Sequence, residues 1–471
     1  MTNTGTSVNR RSVLIAAMGM PLGVTLASCA TGGNGEEPAD ENGTGEAEEI
    51  DPDNPFGVEA DSAVEAVIFD GGYGIAYVEY AADIMGADFP EMSFDVSGTV
   101  DIAPQLQPRF VAGDPPDLID NAGAQQIGFS TIVDQLEELD DVFDAPNLEG
   151  VTIRDTLYDG VEEPGTFGDR FVAINYVMTV YGIWYSASLF EEYGWEPPTT
   201  LEETRDLGAA AQEEGYYLFT WGQEAATYYQ TLCVDAAIKE GGDEVRLALD
   251  NLEEDCWSHP AIQASFSIMK EIIDAGYFQP GGSGTQFTSA QAQWSQDQAA
   301  ILYPSGSWIE NEMADQTAEG FEMTGAPSPS VTSDAVMPPT AIHSAAGEPF
   351  IVPSDAENIA AGKEILRVML SEEAARNFAE ENLAPTIVAD TVPEDGFGST
   401  AMVSQMEMLE EADADVFTWH FVDRYGMNQE QLVLWNSFLD GQTSVEELTE
   451  GLQAITDEVR EDDAIETFPV S

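Results

Sequence analysis

Basic residues are nearly missing from this chain. Fourteen Lys and Arg stand against 88 Asp and Glu in 471 residues, a formal net charge of −74. Only Lys239, Lys270 and Lys363 are lysines. A nucleic-acid surface needs clustered Lys and Arg, so nucleic acid is excluded as a partner, and phosphate or anionic lipid meets repulsion almost everywhere. A neutral or cationic ligand is favoured. Histidine and cysteine are as scarce, with three of each. His259, His343 and His420 lie far apart and no H-E-x-x-H, C-x-x-C or G-x-S-x-G motif accompanies them. No metal centre and no nucleophilic triad is signalled, and each histidine reads as a satisfied surface or cleft residue. Complete D-x-D-x-D-G calcium loops are missing too, which leaves the carboxylates as a solvated coat.

What is present is material for a core: 43% of the residues are hydrophobic and 10% aromatic. That excludes disorder of the whole chain, and the length suggests two lobes or more. Self-repulsion on this scale opposes compaction unless counter-ions screen it. Molar salt shortens the Debye length to roughly 3 Å, so the composition points to a salty environment.

The first 28 residues differ from the rest, since they contain no Asp or Glu. Asn9-Arg10-Arg11-Ser12-Val13-Leu14 is a twin-arginine start, followed by an apolar stretch from Val13 to Leu26 that is too short for a comfortable membrane span. Leu26-Ala27-Ser28-Cys29 then matches a lipobox, with Cys29 as the lipid attachment point. The expected layout is a signal peptide over 1–28 and a lipidated, disordered acidic tether over 29–62. Without the signal peptide, 12 basic residues face 88 acidic ones, a charge of −76. The mature protein is expected at the outer face of the cytoplasmic membrane, an oxidising location. There Cys233 and Cys256 form either a disulfide or two separate buried thiols.

From residue 63 onward the periodicity alternates between strand and helix. Ala66–Phe69 reads as a buried strand, Ile75–Met85 as a helix, Met92–Val96 as a strand, Leu106–Val111 as a helix and Asp117–Asp120 as a third strand, a βαβαβ unit with a parallel sheet. Phe171–Ile174 and Tyr181–Tyr185 read as further strands. Thr200 with Glu203 opens a helix as a capping box, Tyr217–Phe219, Ala300–Tyr303 and Phe350–Val352 read as strands, and Ser444 with Glu447 caps an amphipathic terminal helix. A second α/β lobe is expected from about residue 176.

The turn Asp70-Gly71-Gly72-Tyr73-Gly74 follows a strand as a dinucleotide fingerprint would, but Tyr77 occupies the place of the third glycine. A tight turn whose backbone approaches a ligand is the better reading, and no cofactor is expected. Paired carboxylates for glycoside hydrolysis are not singled out among 88 acids. Aromatics are: Tyr73, Tyr176, Tyr181, Trp184, Trp221, Tyr228, Tyr229, Trp294, Trp308, Trp419, Tyr425 and Trp435 fall mostly at strand ends or in loops. Sugars offer flat C–H faces to such rings and hydroxyls to Asp, Asn, Gln or Glu, so a neutral carbohydrate is the ligand class this pattern suits.

Several strings carry a family resemblance: Phe69–Gly74 (FDGGYG), Leu106–Ala124 (LQPRFVAGDPPDLIDNAGA), Thr179–Ser186 (TVYGIWYS), Asn251–Ile262 (NLEEDCWSHPAI), Gly306–Ala314 (GSWIENEMA) and Gly347–Ser354 (GEPFIVPS). In these the chain resembles the extracellular solute-binding lipoproteins of carbohydrate ABC importers, and among them the N-acetylglucosamine and N,N'-diacetylchitobiose binding group of actinobacteria. The resemblance implies an α/β, maltose-binding-protein-like fold of type II. Its N-lobe would comprise 63–176 plus 326–380, its C-lobe 177–325 plus 381–471, with a hinged ligand cleft between them. It implies ligand contacts from Asp70, Tyr73, Asn121, Gln125, Trp221, Tyr228, Trp308 and Trp419, no catalytic residue, and Arg109 as a residue that positions its helix. The implied partners are a neutral mono- or disaccharide and the ABC permease subunits, the protein itself being a monomer. Another oligosaccharide, or a secreted carbohydrate-active hydrolase, is the alternative reading. The family pattern does not call for Cys233 and Cys256.

Overall fold

The computed structural model describes residues 51–470, apart from 124, 159, 413, 463 and 464. The signal peptide, the twin arginines and Cys29 therefore lie outside the described residues. Packing starts earlier than a tether over 29–62 allows: the Asn54 side chain closes two hydrogen bonds with the backbone of Val58, and Val58 is buried.

Eleven strands are described: β1 (Ala63–Phe69), β2 (Ser93–Thr99), β3 (Leu118–Asp120), β4 (Thr166–Phe167), β5 (Arg170–Phe171), β6 (Ile174–Ser186), β7 (Tyr217–Phe219), β8 (Ala300–Gly306), β9 (Met323–Pro327), β10 (Ile342–Ile351) and β11 (Val416–Phe417). Apart from the β4–β5 hairpin they form one sheet in the order β2-β1-β3-β10-β6-β8-β7, with β11 on β10 and β9 on β6. The βαβαβ start is as expected, since β1 is parallel to β2 and to β3. Beyond it the sheet is mixed, because β10 runs antiparallel to both β3 and β6, and β6 antiparallel to β8 and β9.

Two long strands tie the molecule together. The first half of β6 pairs with β10, while Tyr181–Trp184 pairs with β8 and Gly182–Ser186 with β9. Apolar side chains gather around each end of this ladder. One core joins Val64, Ile68, Tyr77, Tyr176, Phe350, Leu366 and Phe378, and the other joins Ile183, Phe219, Tyr229, Trp257, Phe266, Leu302 and Trp435.

Local signals fix the helices. Ser444 and Glu447 complete a reciprocal capping box at the helix Val445–Glu461. At the helix Leu201–Glu214 only half of the box closes: Thr200 Oγ1 accepts from Glu203 N, but Glu203 turns to the Thr199 N–H and hydroxyl. Arg109 grips Glu65 of β1 with two hydrogen bonds of 2.6 and 2.7 Å and so seats its helix, Ile102–Ala112, on the sheet.

The structure decides between the two alternatives for the remaining cysteines. Cys233 and Cys256 are both free, not joined in a disulfide. Cys233 lies inside the helix Tyr228–Gly241, where its carbonyl accepts from Ser265 Oγ, whereas the Cys256 thiol faces Gln453 Oε1 at 3.6 Å. Burial pushes each thiol up to about 12.

Candidate functional site

Where β6 passes from one core to the other, register brings aromatic rings together. Tyr181 stands opposite His343 of β10 on one side and Gly306 of β8 on the other. Gly306 matters because the Trp308 ring lies over it: a Cβ there would sit 2.0 Å from the indole. Trp308 therefore reaches back to meet Tyr181 edge-on at 5.5 Å and Tyr228 at 5.9 Å. All three rings are half-buried. Tyr181 and Tyr228 adjoin a cavity of about 10 Å³ lined also by Gly182, Thr231, Leu232, Pro304, Ser305, Gly306 and Ser328. That is room for about one water.

Polar groups surround the rings. The 70–74 turn approaches from the first core, where the Gly72 carbonyl accepts from Asn311 Nδ2 and a Cβ on Gly72 would meet Glu312 at 3.3 Å and Trp308 at 3.5 Å. Glu312 accepts from Gln291 Nε2 at 2.7 Å, and burial holds its carboxyl above the usual range. Asp423 is exposed to solvent and lies within electrostatic reach of Tyr181. Behind the aromatic wall, Asp235 is fully buried and receives Trp419 Nε1 and Ser328 Oγ, each at 3.0 Å, with His343 Nδ1 also 3.0 Å away. Lys239 lies beside it and donates to the carbonyls of Ser328 and Pro339, its pKa brought down to about 8 by desolvation against the pull of Asp235.

The residues expected to contact ligand separate into two groups. Tyr228 and Trp308 meet in the ring cluster, Tyr73 is 7% exposed on the turn that approaches it, and Asp70 is exposed on the same turn. Asn121 spends both ends of its amide on the backbone of Ile127 and is fully buried, and Trp221 is packed beneath Gly282. Trp419 is buried against His343 and Phe421, and exposed Gln125 donates to Asp101. The pattern did not single out Glu312, Glu348 or Asp423. Of the two places open to His343, surface or cleft, the surface is ruled out: its ring is buried between Tyr181 and Phe417.

The twelve basic residues beyond residue 50 are all engaged. Arg109, Arg154, Arg170, Arg205, Arg246, Lys270, Lys363, Arg367, Arg424 and Arg460 are in ion pairs. Lys239 is held by carbonyls, and Arg376 by the Thr391 carbonyl and the Phe397 ring. The pocket thus offers rings and carboxyls, a lining that suits uncharged polyols. Among the described residues, no group of three or more His, Cys, Asp or Glu is placed to hold a metal ion.

Comparison with known proteins follows the same direction. Residues 90–376 match the family model of bacterial extracellular solute-binding proteins. The chain is 55% identical, over the full length of both proteins, to the diacetylchitobiose binding protein NgcE of Streptomyces coelicolor. Among solved structures it is similar to a chitin oligosaccharide binding protein, with a TM-score of 0.69 and 17% identity over 85% of this chain and 99% of that one. It is also similar to the sugar-binding protein MalE of Xanthomonas citri, with a TM-score of 0.64 and 16% identity over 84% and 98%.

Proposed function

The chain belongs to the bacterial extracellular solute-binding proteins, and on that premise we propose that it captures N,N'-diacetylchitobiose or N-acetylglucosamine and delivers it to the permease subunits of an ABC importer. Its fold is the two-lobed, maltose-binding-protein-like one of its structural neighbours. The observation that carries the reading is the Tyr181–Tyr228–Trp308 ring cluster, placed where β6 passes from one core to the other and the 70–74 turn approaches, with carboxyls around it and every described cation already engaged. The name of the 55% identical relative supports the amino sugar.

In this reading the two lobes, each built around one of the two cores and with Ala384, Ile387 and Val388 belonging to the first, are hinged on β6 and β10 and open to admit the sugar between Trp308, Tyr228, Tyr73 and Asp70. The protein acts as a monomer and performs no chemistry on the sugar. It is exported through its twin arginines, held at the membrane by a lipid on Cys29, and adapted to high salt by its charge. Release of a Cys29→Ser protein into the medium tests the anchor.

Calorimetric titration against diacetylchitobiose, N-acetylglucosamine, maltose, raffinose and xylobiose tests the ligand. The amino sugars are expected to bind most tightly. Preference for an unacetylated sugar overturns the assignment, and steady release of monosaccharide from diacetylchitobiose replaces the binding protein with a hydrolase.

A further inference from the structure

Strand β10 contains one of the seven non-glycine residues with positive φ among the described residues. Glu348 has φ +54, a left-handed conformation that suits glycine, and it precedes Pro349, whose ring restricts the residue before it further. A glutamate stands where the backbone asks for a glycine, and strain of this kind gathers at ligand sites.

The Glu348 side chain is half-buried and faces Asp120 at the end of β3, which is fully buried. Asp120 Oδ2 accepts from the Tyr77 hydroxyl at 3.2 Å, and its other oxygen has no donor. Desolvation and mutual repulsion disfavour ionising both carboxyls: burial pushes Asp120 up to about 6, and burial together with Asp120 drives Glu348 well above its ordinary range. Beside them Tyr73, 7% exposed, points its hydroxyl toward Thr179 and Ser307 without closing a hydrogen bond to either, within electrostatic reach of Glu348 and Glu312. Thr179 lies two residues before Tyr181 and Ser307 one before Trp308. An unspent hydroxyl and a carboxyl therefore sit beside the turn whose Gly72 approaches Trp308, next to the ring cluster.

We propose that Glu348 and Tyr73 are the specificity-determining polar contact of this pocket, presenting hydrogen-bond donors to an acetamido carbonyl of the bound sugar. The inference rests on the sugar-binding reading above. A carbonyl only accepts, so it needs donors that bring no charge, whereas a hydroxyl is served equally well by an ionised carboxylate.

The test is titration of N,N'-diacetylchitobiose into wild type, Glu348→Gly, Glu348→Gln and Tyr73→Phe, each with a melting curve. Glu348→Gly is expected to melt no lower than wild type, because the backbone strain is relieved, while affinity falls about tenfold. Glu348→Gln keeps an uncharged donor and is expected to stay within about threefold. Wild-type affinity is expected to fall in alkali as the pair loses its shared proton, and that of Glu348→Gln to stay flatter. The ionisable groups around the site, Asp120, Tyr73, Tyr77 and Glu312, are common to both proteins. Unchanged affinity in folded Glu348→Gly or Tyr73→Phe overturns the proposal, as does one pH profile shared by wild type and Glu348→Gln. Wild type that fails to bind the disaccharide overturns the sugar-binding reading itself, an outcome separate from any result on the variants.

Discussion

Tyr181 stacks on His343 across the β6–β10 ladder, with ring centroids 4.4 Å apart and planes 13° from parallel. The pair is a direct product of register, and it gives the pocket a rigid back wall. Trp308 packs edge-on against the other side of the same tyrosine.

Trp308 is half-buried and rests on Gly306 and two tyrosines rather than within a core. Trp308→Ala is expected to weaken sugar binding by ~1 to 3 kcal/mol, as a central aromatic anchor does, with a small change in melting temperature. Titration of the folded variant together with its melting curve decides this, and a large loss of stability at unchanged affinity assigns the ring to packing.

Trp419 is expected to behave in the opposite way. Its indole N–H is one of the donors that satisfy buried Asp235. Trp419→Phe should cost about 1 to 3 kcal/mol of stability, with sugar affinity nearly unchanged in the folded protein. Urea unfolding measures the first and calorimetry the second.

Lys239 gives a pH dependence with a definite sign. Its folded pKa, about 8, lies below the ordinary 10.5, so between these values the unfolded chain holds a proton that the folded chain has lost. Stability from this group therefore rises with pH across that window, by about 3 kcal/mol at most, and is flat below it. The difference in urea midpoint between wild type and Lys239→Met should grow in favour of wild type from pH 7.5 to 10. A constant difference contradicts the burial argument.

Free, buried thiols predict chemistry different from that of a disulfide. A chain beginning at residue 51 should show no reaction with a thiol reagent when native and two reactive thiols in denaturant without reductant. Its melting curve should not shift when a reductant is added.

Charge governs the response to salt. With 88 acidic against 14 basic residues, unfolding midpoints should rise steeply from low to molar salt as like charges cease to interact. A flat response removes the halophilic reading.

Much of this architecture was legible in the sequence, and the exceptions have physical causes. The strands and helices before residue 120 keep clean periods. In contrast β6 reads as two short pieces because its middle, Tyr176–Val180, is covered on both faces and loses alternation. The first half of β10 is hidden by Ala345, Ala346 and Gly347, poor strand formers that hold place through pairing with Val177–Thr179. In the site, composition ranked Trp221 and Trp308 alike. Depth separates them, and glycines set it: Gly282, some sixty residues away, admits the ring of Trp221 into the core, while nearby Gly306 lets that of Trp308 fold back onto the ring cluster. Glu348 carried no periodic signal, since its role depends on a backbone angle.

The route of the chain also sets an order of assembly. Asp120 at the end of β3 pairs with Phe350 of β10, more than two hundred residues later, and the core above it is completed by Ile387 and Val388. Phe468, close to the end of the chain, closes over Phe167. A ribosome that has made the first three hundred residues has therefore made most of one lobe's helices but neither finished core. The early sheet keeps an open edge at β3 until β10 arrives, so the protein gains its stability late and nearly all at once.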